Sequence, residues 1–151
     1  MSSEENKQLV LQGYRLFQQQ DIEGLMALYD DTIEWIGFDN PNVPFAGSYY
    51  GKDEVQQFFR DLGRSMTPVR FEPRELIAEG DKVVALGHAV WKLNTGGQEL
   101  ETDWVHVFTL RDGKVCRFQR LDDGVQADQA FRSTAAMSAG MAQGAQESRP
   151  S

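Results

Sequence analysis

The sequence predicts an α+β domain: three N-terminal helices packed on a curved antiparallel sheet of about four long strands plus one short one, enclosing a pocket. Three observations carry this. Apolar residues recur at helical spacing up to about Leu62. From Val69 onward they alternate with polar residues, two by two. Asp112-Gly113 then joins two such alternating runs, and Asp-Gly between them is the strongest short-range hairpin signal. In the run before that turn, Trp104, His106, Phe108 and Leu110 share one face. Two large aromatics flanking an imidazole suit a pocket wall better than a plain core.

Ser2 or Ser3 before Glu4 and Glu5 marks the first helix start, and Leu9, Leu11, Tyr14, Leu16 and Phe17 follow at roughly helical spacing. Asp21 caps a second helix with Ile22, Leu25, Met26, Leu28 and Tyr29 on its apolar face. Asp30-Asp31-Thr32 breaks that pattern, and Ile33 to Phe38 reads as a short strand. Residues 39–50 hold prolines, asparagines and a glycine and read as a loop. That loop carries Val43, Phe45, Tyr49 and Tyr50, which suits a segment folded over a cavity mouth. Lys52-Asp53-Glu54 opens a third helix with the stripe Val55, Phe58, Phe59, Leu62.

The sheet follows. Val69 to Glu79 is a strand interrupted in pairing by Pro73, the mark of an edge or a bulge. Gly80-Asp81 turns the chain into Lys82 to Leu93, and residues 94–97 turn it again. Gln98 to Leu110 and Lys114 to Asp122 complete an antiparallel meander. Val125 to Phe131 either closes the domain as a short helix or trails away. The domain is thus expected to span residues 1–132. Residues 133–151, rich in Ala, Ser, Gly and Gln, are expected to be a flexible tail.

Composition narrows function. A chain of 151 residues with net charge −8 and no basic stripe argues against nucleic acid or an anionic membrane as partner. The opening residues lack a signal peptide pattern, and no apolar run approaches the roughly 20 residues of a membrane span, so a cytoplasmic protein is expected. One cysteine and two histidines make an internal disulfide impossible and a structural zinc improbable, so no metal is expected. No glycine loop precedes a helix in the way phosphate binding requires, and no serine has an adjacent base.

The order Pro44-Phe45-Ala46-Gly47, Tyr50-Gly51-Lys52, Val55 and Phe58-Phe59, then Trp104 to Phe108, Asp112 to Val115, Arg117-Phe118 and Asp123 resembles the SnoaL-like, ketosteroid-isomerase-related proteins of the nuclear transport factor 2-like superfamily. The resemblance covers about Lys7 to Phe131. It implies a cone-shaped cavity and, where members are enzymes, cofactor-free proton transfer of the isomerase or cyclase type, or hydration. It also implies an acidic proton-transfer residue on the last strand. Aligned on Asp112 to Val115, that position holds Arg120, and a guanidinium cannot act as a base.

Candidate residues follow from chemistry. His106 titrates near neutrality and suits acid–base work, unless it is a core histidine bonded to a neighbour. Arg120 suits binding of a carboxylate or enolate, or a pairing with Asp103 or Asp122. Tyr50 is the other candidate stabiliser of developing negative charge. A strict two-residue turn at Asp112-Gly113 sets Gln119 opposite His106, whereas a glycine bulge brings Arg120 onto its face; the resemblance favours the second. Trp35, Phe38, Phe45, Phe59, His88, Trp104, Phe108 and Asp122 are the candidate ligand-binding residues. His88 meets either the pocket or a dimer surface. The expected partner is a small apolar or aromatic molecule with a carbonyl or carboxylate end. A protein that binds such a molecule without turnover, or only dimerises, is the alternative. The second sheet strand is apolar on both sides, so a homodimer through the outer sheet face is expected.

Overall fold

The computed structural model describes residues 2–121 and 125–133. Helix α1 (Ser3–Gln18) starts on a capping box: Ser2 Oγ accepts from Glu5 N at 3.1 Å and the Glu5 carboxylate accepts from Ser2 N at 3.1 Å. Its buried residues Val10 and Tyr14 lie four apart, one turn above the other on the sheet-facing side. Helix α2 (Ile22–Met26) is capped by Asp21, whose Oδ1 accepts from Gly24 N at 2.8 Å. Strands β1 (Tyr29–Ile36) and β2 (Ser48–Tyr50) precede helix α3 (Gly51–Ser65). The long strands are β3 (Met66–Glu79), β4 (Lys82–Leu93), β5 (Glu99–Arg111) and β6 (Lys114–Arg120). A helix over residues 125–133, here α4, follows.

These strands form one curved, mixed six-stranded sheet in the order β2-β1-β6-β5-β4-β3. The meander β3 to β6 is antiparallel, as expected, and its edge strand β3 shows register shifts after Pro68 and after Pro73, where the missing N–H interrupts the ladder. Helix α1 packs on β3 and β4, and α3 on β1 and β2. The inner sheet face and these helices bury Phe45, Ile33, Leu93, Val55, Val83 and Val115 almost completely.

The strands at the other end depart from expectation. Asp30-Asp31-Thr32 does not break the chain but lies within β1, because Tyr29 and residues 34–36 pair with β6. Asp30 Oδ1 accepts from both Thr32 N and Thr32 Oγ1 at 2.9 Å, a local bond that leaves the strand extended. The pairing of β1 with β6 is parallel, so the sheet is mixed rather than wholly antiparallel. The end of the expected loop becomes β2, paired antiparallel to β1 through Glu34 with Tyr50 and Ile36 with Ser48. Six strands therefore stand where about four long and one short were expected. The closing helix is present and runs through residue 133, where the tail was expected to begin. Residues 134–151, the rest of that expected tail, lie outside the described residues.

Candidate functional site

The chain reverses between β5 and β6 through a strict two-residue turn. Asp112 at φ 53° and Gly113 at φ 77° both lie in the left-handed region, as a type I′ turn requires, and Arg111 pairs with Lys114. One step further the register shifts: Leu110 faces Val115 but Thr109 faces Arg117, so Cys116 is an extra residue. This β-bulge turns the rest of β6 over. Phe118 then sits opposite Phe108 and Arg120 opposite His106, all on the inner face. The two alternatives left open by the sequence are both partly realised: the turn is the tight one, and the bulge lies beyond it.

The inner face of β5 and β6 forms the wall of a cavity of about 120 Å³ under the helices. Trp35, Phe38, Phe45, Phe59, Trp104, Phe108, His106 and Arg120 line it, as does Tyr14 from α1. Phe71, Trp104 and His106 form a continuous stack along the wall, with ring centroids 5.0 Å and then 4.2 Å apart and planes within 17° of parallel. Trp35 stacks on Phe118 at 3.8 Å. Arg120 carries its guanidinium carbon 4.4 Å from the Phe38 ring centroid and 5.6 Å from that of Phe45, so the aromatic loop covers the cation.

Gly87 makes room for this stack. It sits opposite Trp104 on β4, and a Cβ there would collide with the indole at Cζ2. Trp104 thus lies directly over bare backbone. Its Nε1–H is buried with no acceptor among the described residues.

His106 is 9% exposed and its Nδ1 lies 2.9 Å from the Tyr14 hydroxyl. Burial, with the Arg120 charge adding to it, pushes the imidazole well below its ordinary value, so it is neutral at physiological pH. Burial likewise raises the Tyr14 phenol, which keeps its proton. Among the described residues Tyr14 O–H has no other acceptor, so it donates to Nδ1, and the imidazole proton resides on Nε2. Nε2–H has no hydrogen-bond partner among the described residues. Tyr14 is the site residue that sequence reading missed. Its helical spacing with Val10 reads as core, and the one available signal was a phenol that, once buried, needs a partner.

Two expected site residues lie elsewhere. Tyr50 is 56% exposed at the start of α3, and its backbone N–H donates to Glu54 Oε1 at 2.9 Å. It does not line the cavity, because the β2 pairing turns its ring outward. His88 belongs to the outer sheet face, between Asp103 Oδ1 at 2.7 Å from Nδ1 and Glu101 Oε1 at 2.8 Å from Nε2. Inner positions of β4 are held by Val83, Ala85, Gly87, Ala89 and Trp91, so strand alternation excludes His88 from the cavity. Hydrogen bonding to Asp103 raises the His88 imidazole against the opposing effect of its burial, and Glu101 adds to the rise. Asp122 lies outside the described residues. No group of three His, Cys, Asp or Glu side chains among the described residues could hold a metal. No described helix is long and apolar enough to cross a membrane.

The SnoaL-like domain model matches residues 10–118. An NTF2-like protein from Burkholderia xenovorans LB400 superposes with a TM-score of 0.79 at 27% identity, covering 87% of this chain and 98% of that one. An NTF2-like protein of unknown function from Burkholderia pseudomallei K96243 gives 0.77 at 25% identity, over 87% of this chain and 98% of that one. TerC, co-crystallised with polyporic acid, gives 0.72 at 28% identity, over 85% and 98% of the two chains. No curated protein matches the sequence.

Proposed function

The chain belongs to the SnoaL-like domain family, within the NTF2-like fold, and on that premise we propose that its cavity binds a small, largely apolar molecule whose carbonyl or carboxylate oxygen accepts a hydrogen bond from His106. One observation carries the reading: Tyr14 fixes a neutral His106 with Nε2–H unpartnered in an aromatic pocket. A ligand oxygen that accepts from Nε2–H would gain one net hydrogen bond, roughly 0.5–1.5 kcal/mol. Arg120, on the same face, adds a positive field for an anionic end or for charge that develops on a carbonyl. The crystals of TerC with polyporic acid are in keeping with a ligand in this fold.

His106 acts here as a donor and not as a base. To take a proton at Nε2 it would have to move its own proton to Nδ1, leaving the Tyr14 hydroxyl without an acceptor. No Asp or Glu is among the described residues that line the cavity. Binding and polarisation of a carbonyl therefore fit the pocket better than abstraction of a proton. In any turnover His106 stabilises negative charge on oxygen, a contribution of roughly 10²–10³-fold in rate for one positioned donor. We also infer a homodimer through the outer sheet face, where Val84, Leu86 and Val90 of β4 and Val105 and Val107 of β5 are only partly buried.

Calorimetric titration with acetophenone and with ethylbenzene, the same skeleton without the oxygen, tests the binding reading. The ketone is expected to bind about tenfold more tightly, the value of one good hydrogen bond. That preference should vanish in the double variant Tyr14→Phe/His106→Phe, which removes both hydrogen-bonding partners together and strands neither. Equal affinity of the two ligands for the native chain would refute it.

A further inference from the structure

Phe59, on α3, borders two spaces at once. It lines the aromatic cavity, and it also lines a surface hollow between α2 and α3 together with Ile22, Glu23, Gln56 and Arg60. The ring is only partly buried, whereas Phe58 beside it in sequence is buried. Interior and surface therefore meet here across the thickness of one side chain.

That side chain is held by ring contacts. Its centroid lies 5.1 Å from Phe58, 5.4 Å from Trp35 and 6.0 Å from Phe17. A phenyl ring has no hydrogen bond to break, and rotation about χ1 between staggered wells swings it without moving the backbone. The wall built by residues 38–47 is held differently. Its base is closed by Gly37 N–H donating to Gly47 O at 3.1 Å and by Gly47 N–H donating to Phe38 O at 2.6 Å. Asn42 Nδ2–H ties it to Asp128 Oδ1 on α4 at 3.0 Å, and Phe45, 1% exposed, packs edge-on to Phe131. Opening that wall breaks hydrogen bonds and exposes a buried ring. Opening at Phe59 disturbs ring contacts alone.

We infer that small molecules enter and leave the cavity between α2 and α3, with Phe59 as the gate. Closed, the ring completes the cavity wall. Turned into the hollow beside Ile22, it opens a way from the surface to Trp35. Passage depends on this ring and not on the hydrogen bond proposed for His106.

Xenon tests the route without involving any hydrogen bond, because it is a single atom that enters dry apolar cavities. Its exchange with the full chain is followed by xenon-129 saturation-transfer NMR. Its position is read from methyl shifts of Leu25 and Val115, which line the cavity. Phe59→Ala removes the contacts that hold the gate shut, and exchange is expected to speed up about tenfold or more. Gln56→Trp fills the hollow from a position outside the cavity lining. Entry and exit are both expected to slow about tenfold while the dissociation constant keeps its native value, as a raised barrier requires. A residue with only a structural role would shift the melting temperature and leave exchange unchanged. Native exchange rates in Gln56→Trp, or in Phe59→Ala, would overturn the gate, as would methyl shifts that stay silent to xenon in the native chain and in Phe59→Ala alike. Equal binding of acetophenone and ethylbenzene, by contrast, removes the reading of His106 and leaves the gate standing.

Discussion

Tyr14 has one hydrogen-bonding partner among the described residues, His106 Nδ1, and that bond decides which nitrogen of the imidazole carries the proton. Replacing Tyr14 with Phe keeps the ring and its contacts with Phe71, Trp104 and Phe108 but leaves Nδ1 without a donor. A stability loss of about 1–3 kcal/mol is expected from urea denaturation, the cost of one stranded buried polar atom. Nitrogen-15 shifts of the imidazole should move from the pure Nε2–H form toward a mixture. A variant of unchanged stability and unchanged tautomer would show that the hydroxyl does not hold the ring. At this scale the sequence was only partly legible. His106 stood out because strand alternation sets its imidazole on one face with Trp104 and Phe108, where a core histidine bonded to a neighbour was the alternative. Tyr14 did not, since helical spacing says which face a residue joins but not what its hydroxyl meets 92 positions later. Tyr50 misled because its loop was apolar enough to suggest a lid, whereas pairing with Glu34 turned it outward.

Elements position the site through two backbone devices, a bulge and a bare glycine. The bulge at Cys116 was not legible beyond the turn, because no glycine or other special residue marks it. Its cause is tertiary: a continued tight register would place Phe118 and Arg120 on the outer face, and burial of Phe118 against Trp35 and Phe108 selects the shifted one. The parallel pairing of β1 with β6 was equally hidden, since it joins segments more than 80 residues apart and leaves no local pattern. The meander itself was legible, because each of its turns carries its own glycine-containing signature. Gly87 is the second device. Gly87→Ala forces the indole of Trp104 off β4 and into the cavity, an overpacking cost of about 1–3 kcal/mol. The expected outcome is a lower denaturation midpoint, an altered near-ultraviolet circular dichroism spectrum from the displaced tryptophan, and weaker acetophenone binding. Native spectra and native affinity would mean that Trp104 has room to spare.

Across the whole molecule the two histidines lie on opposite faces of the sheet in opposite electrostatic settings, and their pKa values are shifted in opposite directions, so they act oppositely on stability near neutral pH. His106, buried beside Arg120, has a folded-state pKa below its ordinary value of 6.5. The folded chain then binds fewer protons there than the unfolded one, so its contribution is complete above pH 6.5 and is lost as pH falls from there toward the folded value. His88, bonded to Asp103 and Glu101, has a folded-state pKa above 6.5. Its contribution is complete below pH 6.5 and is lost as pH rises through the folded value. Together the pair produces a stability maximum near pH 6.5, with the fall on the alkaline side belonging to His88 and that on the acid side to His106. His88→Gln, measured by urea denaturation from pH 5.5 to 8.5 at one protein concentration, should flatten the alkaline limb and leave the acid limb unchanged. Holding the concentration fixed matters because His88 shares the outer face with Leu86 and Val105, through which we infer that two copies pair. Leu86→Glu puts a carboxylate in that apolar strip and is expected to yield a monomer by sedimentation while the cavity on the other face still binds acetophenone. If the variant sediments as the native chain does, the outer face is not where two copies meet. An alkaline limb that survives in His88→Gln would show that the Asp103 and Glu101 contacts do not set the charge of that ring in solution.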